Sequence, residues 1–227
     1  MFRDWPRMLP SSIDPIAVQL PGRADRSDEP TIDDMEMLVD SLIEVVAPLM
    51  DQPVALFGAS MGARVGWSLA HALRDRELPM PRALYVSASA APGLERQIRG
   101  WNGPDEGLLL YLRELGGTPP QVFEDKELLV EMVATLRADL SALSTHTFQP
   151  NLPLDIPITV FSGASDEESP SHRMEPWGAE TTGPFVMHSL DCGHIFDRHA
   201  TQQVAETLAV DLSGIEAHSS DRWVTRA

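Results

Sequence analysis

Apolar residues in this chain come in short runs that alternate with amphipathic stretches. Five runs read as strands: Ile16–Leu20, Val54–Phe57, Ala83–Ser87, Ile158–Phe161 and Phe185–Leu190. Each is short and bounded by turn residues, as strands are. Between the first two, Met35, Leu38, Val39, Leu42, Ile43 and Val46 recur at helical spacing and make one apolar face. Thr31 with Asp34 reads as a capping box at the start of this helix, and Pro48 with Asp51-Gln52-Pro53 closes it. A second helix is predicted from about Met61 to Arg74, directly behind a strand. The last, roughly Thr201–Asp211, follows the final strand. Such alternation predicts an α/β domain whose mostly parallel sheet is flanked by crossover helices.

The alternation breaks between Ala91 and Pro150. Two helical patterns, about Asp105–Leu115 and Asp125–Leu143, are separated by Gly116-Gly117-Thr118-Pro119-Pro120, with no strand between them. An insertion of this kind usually covers a site, so about 91–150 is expected to be a helical lid. Residues 1–212 then form one domain, and the polar segment 213–227 is expected to be a loosely attached tail.

Composition narrows the function. The 227 residues carry 34 acidic and 17 basic side chains, a net charge of −17, which argues against binding nucleic acid through its phosphates. Sixteen of the bases are Arg, and Lys126 is the one Lys. The single cysteine, Cys192, cannot form an internal disulfide, so nothing points to an oxidising compartment. No apolar run reaches the roughly 18 residues of a membrane span, and Arg3, Asp4 and Pro6 interrupt any signal-peptide core. The expectation is a cytoplasmic monomer without metal or cofactor.

Gly58-Ala59-Ser60-Met61-Gly62 is a G-x-S-x-G pattern between an apolar strand and a predicted helix. That context is what a nucleophile elbow needs: small residues at 58 and 62 allow a sharp turn that lifts Ser60 above the sheet. The same turn puts the backbone N–H of Met61 at a helix N-terminus, where it can donate to an oxyanion. A serine hydroxyl needs a base, and the base needs an acid to orient it, in the chain order Ser, Asp or Glu, His. Asp166 follows the Ile158–Phe161 strand, and His194 follows the Phe185–Leu190 strand with Gly193 before it to relieve crowding.

The rivals are weaker. Glu167 and Glu168 sit further into the loop, and Asp191 ends the histidine's own strand. His71 lies in a helix and His188 in a strand, while His146, His172, His199 and His218 lack the strand-end setting. There is no H-E-x-x-H metal motif and no phosphate-cradling glycine loop. Cys192 reads as a small apolar residue, with its closeness to His194 making it a candidate oxidation site.

Several segments together resemble the type II thioesterases, the free-standing α/β-hydrolases that accompany nonribosomal peptide and polyketide synthases. Val18-Gln19-Leu20-Pro21-Gly22-Arg23, with Arg26, is similar to one family segment, and Phe57-Gly58-Ala59-Ser60-Met61-Gly62-Ala63 to its elbow. Gly116-Gly117-Thr118-Pro119 and Leu136-Arg137-Ala138-Asp139 resemble lid motifs, and Gly163 with Asp166 and Gly193-His194 resemble the acid and base loops. The resemblance implies hydrolysis of acyl or aminoacyl thioesters from the phosphopantetheine arms of carrier proteins by Ser60, His194 and Asp166. Alternatives are an acyl-CoA or small-molecule esterase and a non-catalytic remnant that binds carriers.

Two departures from the family pattern stand out. Ala59 replaces a frequent His. The family's first strand and oxyanion loop have no counterpart here, since Met1-Phe2-Arg3-Asp4-Trp5 aligns with the helix that follows them; a start assigned too late is the preferred explanation, a genuinely shortened protein the other. Docking to acidic carriers would call for a basic patch, and Arg96, Arg99 and Arg113 are the candidates. Leu108, Leu109, Tyr111, Leu112 and Met132 are candidates for an acyl pocket, although residues at such helical spacing are more often ordinary core.

Overall fold

A computed structural model describes residues 2–94, 102–146 and 151–220. In chain order these form α1 (Trp5–Met8), α2 (Met35–Val46), β1 (Leu56–Ala59), α3 (Met61–Asp75), β2 (Leu84–Ser87), α4 (Asp105–Leu115), α5 (Lys126–Thr145), β3 (Ile158–Gly163), α6 (Ser171–Met174), β4 (Phe185–Leu190) and α7 (Arg198–Ser220). The four strands make one parallel sheet in the order β1-β2-β3-β4. Its register runs Gly58↔Val86, Val86↔Val160 and Val160↔Met187.

The central strands β2 and β3 are buried on both faces, which explains their apolar runs. Leu84, Val86, Ile158 and Val160 pack with Ala63, Trp67 and Ala70 of α3 and with Met174 and Trp177. Their strand neighbours Tyr85 and Phe161 point the other way, onto Trp5 of α1 and onto Ala200, Val204 and Leu208 of α7. Each such aliphatic side chain removed from water contributes about 1.5–3 kcal/mol. Beyond one end of this sandwich, the apolar face of α2 packs on Val65, Leu69 and Leu73 of α3 and meets Leu108, Val133, Leu140 and Leu143 of the inserted helices.

Several expectations need correction. Residues 16–20 are not a strand: Ile16 and Val18 are 62% and 53% exposed, and no described strand pairs with them. Branched apolar residues favour a pleated surface, but a strand exists only where a neighbour supplies the hydrogen-bond ladder. Leu20 alone of that run packs against the α2–α3 cluster. The cap of α2 is Asp34 itself, whose carboxylate accepts from the Met37 amide at 2.9 Å, so Thr31 lies outside the helix. The last helix starts earlier and ends later than expected. Asp197 caps it through the Ala200 amide at 2.8 Å, and it continues through Ser213 to Ser220, into the segment read as tail.

The insertion is helical within its described part. Asp125 caps α5 by accepting from the amides of Glu127 and Leu128. Gly116 and Gly117, both with positive φ, break the chain between α4 and α5. Leu108 and Leu112 are buried as core, while Leu109 and Tyr111 pack partly against the same cluster. Of the three arginines considered for carrier docking, Arg113 sits 4.9 Å from the centroid of the Phe123 ring. Arg96 and Arg99 lie outside the described residues.

Candidate active site

The strand ends bring three polar residues together. Ser60 follows β1 directly and has φ 52° and ψ −113°, a conformation that non-glycine residues rarely adopt. Two things hold it there. Its amide donates to Ser87 O at 2.9 Å, continuing the ladder with β2. Gly58 lets α3 begin against the strand: a Cβ on it would stand 2.1 Å from Gly62 O and 2.4 Å from Ala63 N. Gly62 itself has open space where a Cβ would go, so the close approach rests on Gly58 and not on both glycines. Met61 is the first residue of α3, where an N–H has no partner within the helix.

Asp166 lies just past β3. Its side chain is fully buried, and Oδ1 accepts from the amides of Glu168 and Ser169 at 2.9 and 3.0 Å. Those amides aim the carboxylate, a contribution of the acid loop that side-chain identity does not announce. His194 lies just past β4, its Nδ1 3.0 Å from Asp166 Oδ2 and its Nε2 3.3 Å from Ser60 Oγ. With Nδ1 protonated, the ring donates to the carboxylate and leaves Nε2 as acceptor for the serine hydroxyl. Burial pushes the Asp166 carboxyl up, but the hydrogen bond and charge of His194 and the two amides outweigh it and hold it below the usual carboxylate range.

The acid and base loops touch through backbone. Ala164 N donates to Leu190 O at 2.7 Å and Ser165 N to Cys192 O at 3.0 Å. The residue that relieves crowding here is Gly163, since a Cβ on Gly193 would meet nothing closer than 4.0 Å. Among the rivals, Glu167, Glu168 and Asp191 are exposed. His71 is buried in α3, His188 stacks on Phe161, His172 and His199 are exposed, and His146 ends α5. The side chain of His218 lies outside the described residues. Burial, with Asp197 and Asp166 nearby, pushes the Cys192 thiol up to about 11, so it is a poor target for oxidation.

A buried carboxylate, an imidazole and a serine at a strained strand-to-helix turn, in line, make an arrangement suited to acyl transfer. Among the described residues no helix is long and apolar enough to cross a membrane.

Comparison with known proteins gives the same direction. The family model for the thioesterase domain matches residues 1–212. Linear gramicidin dehydrogenase LgrE of Brevibacillus parabrevis is 34% identical over 222 residues, 96% of this chain and 83% of that protein. Gramicidin S biosynthesis protein GrsT of Aneurinibacillus migulanus is 30% identical over 212 residues, 93% of this chain and 83% of that protein. Among solved structures, the RedJ thioesterase of the prodiginine pathway in Streptomyces coelicolor superposes with a TM-score of 0.87 at 33% identity, covering 92% of this chain and 84% of its own. With its parallel sheet, flanking helices and strand-end polar residues, the chain is an α/β-hydrolase that acts on thioesters, and it belongs to the thioesterase family, among the type II thioesterases of nonribosomal peptide and polyketide pathways.

Proposed function

We propose that this protein hydrolyses acyl or aminoacyl thioesters from the phosphopantetheine arms of carrier proteins, clearing misprimed or stalled groups from a synthase. The observation that supports the chemistry is the hydrogen-bonded line from Ser60 through His194 to Asp166. Ser60 Oγ attacks the thioester carbonyl while His194 Nε2 takes its proton. The tetrahedral oxyanion faces the N–H of Met61, and Asp166 stabilises the imidazolium. Collapse breaks the C–S bond, and His194 returns the proton to the leaving thiolate. Water then attacks the acyl-serine, its proton passing to His194 and on to Ser60 Oγ, which releases the carboxylic acid. A 3.3 Å separation between Nε2 and Oγ suits a resting enzyme, since such contacts tighten when substrate binds. The same reading makes the protein a cytoplasmic monomer whose partners are carrier domains.

The test is acyl release from an acetyl-loaded carrier protein, followed by intact-mass spectrometry, beside acetyl-CoA and beside Ser60→Ala. Serine-dependent release, faster from the carrier, is the expected result. Equal turnover of acetyl-CoA would make it a small-thioester hydrolase, and carrier binding with no serine-dependent release would make it a non-catalytic binder.

A further inference from the structure

The polar residues of two segments, Gly22-Arg23 and Arg137-Ala138-Asp139, are not used by the chemistry above, yet they meet each other. Arg23 Nη1 and Nη2 donate to the two carboxylate oxygens of Asp139 at 2.9 and 2.7 Å, across 116 residues of chain. The side chains of Arg23 and Asp139 are only 26% and 19% exposed. One turn earlier on α5, Thr135 Oγ1 donates to Gly22 O at 3.0 Å. Helix α5 is therefore fastened to this loop at two points.

The loop is built as a firm anchor. Gly22 has φ +77°, and a Cβ there would stand 2.3 Å from Thr31 Cγ2, so the backbone is pressed against the approach to α2. The Gly22 amide donates to Arg26 O at 3.0 Å, and Arg26 donates back to Gln19 O at 2.7 Å and pairs with Glu29.

What α5 carries leads to the reacting groups. Arg137 Nη2 donates to Asp105 Oδ1 at 2.6 Å, tying α5 to the first residue of α4. Leu108 of α4, Val133 and Leu136 of α5, and Met61 belong to one apolar cluster, so the inserted helices share a core with the residue that follows Ser60. Between the helices, Gly117 lies against Ile195, next to His194; a Cβ on Gly117 would be 3.0 Å from Ile195 Cγ2. Both contacts join the inserted segment to residues beside the reacting groups.

We infer that Arg23 and Asp139 are a positioning pair that seats the inserted helices over Ser60 and His194 and thereby sets how well the acyl chain is held. This acyl-seating role rests on the thioesterase function proposed above. Ser60, His194 and Asp166 stand on the strand ends and are held by hydrogen bonds of their own, so loss of the latch is expected to weaken binding of the acyl group more than the reactivity of the serine. The paired fork of the guanidinium matters as well as its charge, because an ammonium makes a single point contact.

The experiment compares the full chain with Arg23→Gln, Arg23→Lys, Asp139→Asn and the exchange Arg23→Asp with Asp139→Arg. Kinetics are read with octanoyl-N-acetylcysteamine thioester and with p-nitrophenyl acetate, a small activated ester that fills little of an acyl pocket. Hydrogen exchange is read on α5 and on β3. Arg23→Gln and Asp139→Asn are expected to raise KM for the octanoyl thioester about fivefold, hold kcat for p-nitrophenyl acetate within about twofold, and speed exchange in α5 but not in β3. Arg23→Lys should fall between these and the wild type, and the exchange should recover part of the loss. Unchanged KM and unchanged α5 exchange would overturn the proposal, as would equal losses on both substrates with faster exchange throughout. Faster α5 exchange in a protein whose wild type releases no octanoyl group would retain the latch and overturn the thioesterase reading together with the acyl-seating role.

Discussion

Gly163 and Gly193 are in backbone contact, and through them the acid loop touches the base loop. A Cβ on Gly163 would stand 2.5 Å from Gly193 O and 2.7 Å from Cys192 O, distances no side chain tolerates. Gly163→Ala must therefore push the His194 loop away from Asp166. The expected result is a fall of about 10²-fold in kcat with the sheet still folded, read by steady-state kinetics beside far-UV circular dichroism. Wild-type kcat would show that the two loops can separate without harm.

The two elbow glycines should behave very differently. Gly58→Ala forces a Cβ into Gly62 O and Ala63 N, and should cost about 3 kcal/mol or more, if the variant folds at all. Gly62→Ala meets open space in the first turn of α3 and should gain up to about 1 kcal/mol. Urea unfolding of the pair checks this, and similar losses in both variants would contradict the packing described.

Ser60 holds an unfavourable backbone conformation at the strand-to-helix turn, and the proposed nucleophilic role accounts for it. Ser60→Ala should lower kcat by at least about 10⁴-fold while keeping that strain. Ser60→Gly should be equally inactive but more stable, by about 1 kcal/mol, or 2–4 °C in Tm for a chain of this size. Calorimetry showing Ser60→Gly less stable than Ser60→Ala would sink the argument.

Asp166 links the site to stability in acid. Its carboxyl titrates lower in the folded protein than in the unfolded chain, where about 3.9 is usual. Its contribution is therefore complete above that value and is lost as pH falls through the folded value. Asp166→Asn should flatten the loss of stability below about pH 4, and should lower kcat by about 10⁴-fold because the ring loses its orienting acceptor. Denaturation curves collected from pH 2 to 7 on both proteins decide it.

His71 acts in a higher window. It is buried beside Trp67, and among the described residues neither ring nitrogen has a hydrogen-bond partner. Burial, followed by the charge of Arg74, lowers its pKa to about 4, against the partial opposition of Asp75. The unfolded chain therefore binds a proton that the folded protein refuses between about pH 6.5 and 4, and stability falls as pH falls through that range. His71→Leu should remove this slope without affecting kcat at pH 7, as thermal melts across the range would show.

The placement of this candidate site was largely legible in the chain because its signals are local. Ser60, Asp166 and His194 each lie within a few residues of the end of an apolar run, and the end of a parallel strand is where such a sheet exposes side chains for chemistry. The spacing of Met35 to Val46 and of the two lid patterns likewise depends only on neighbours a few residues away. By contrast, whether Ile16–Leu20 forms a strand depends on a partner, and composition cannot supply one. Three things were decided by tertiary structure alone: that Gly58 and not Gly62 permits the elbow, that Gly163 lets two loops meet, and that Arg23 finds Asp139. The first turns on how the backbone of one elbow is oriented, which the spacing of two glycines does not set; the other two concern atoms brought together from distant turns of the chain, and close packing in three dimensions, unlike periodicity, leaves no mark on the order of residues.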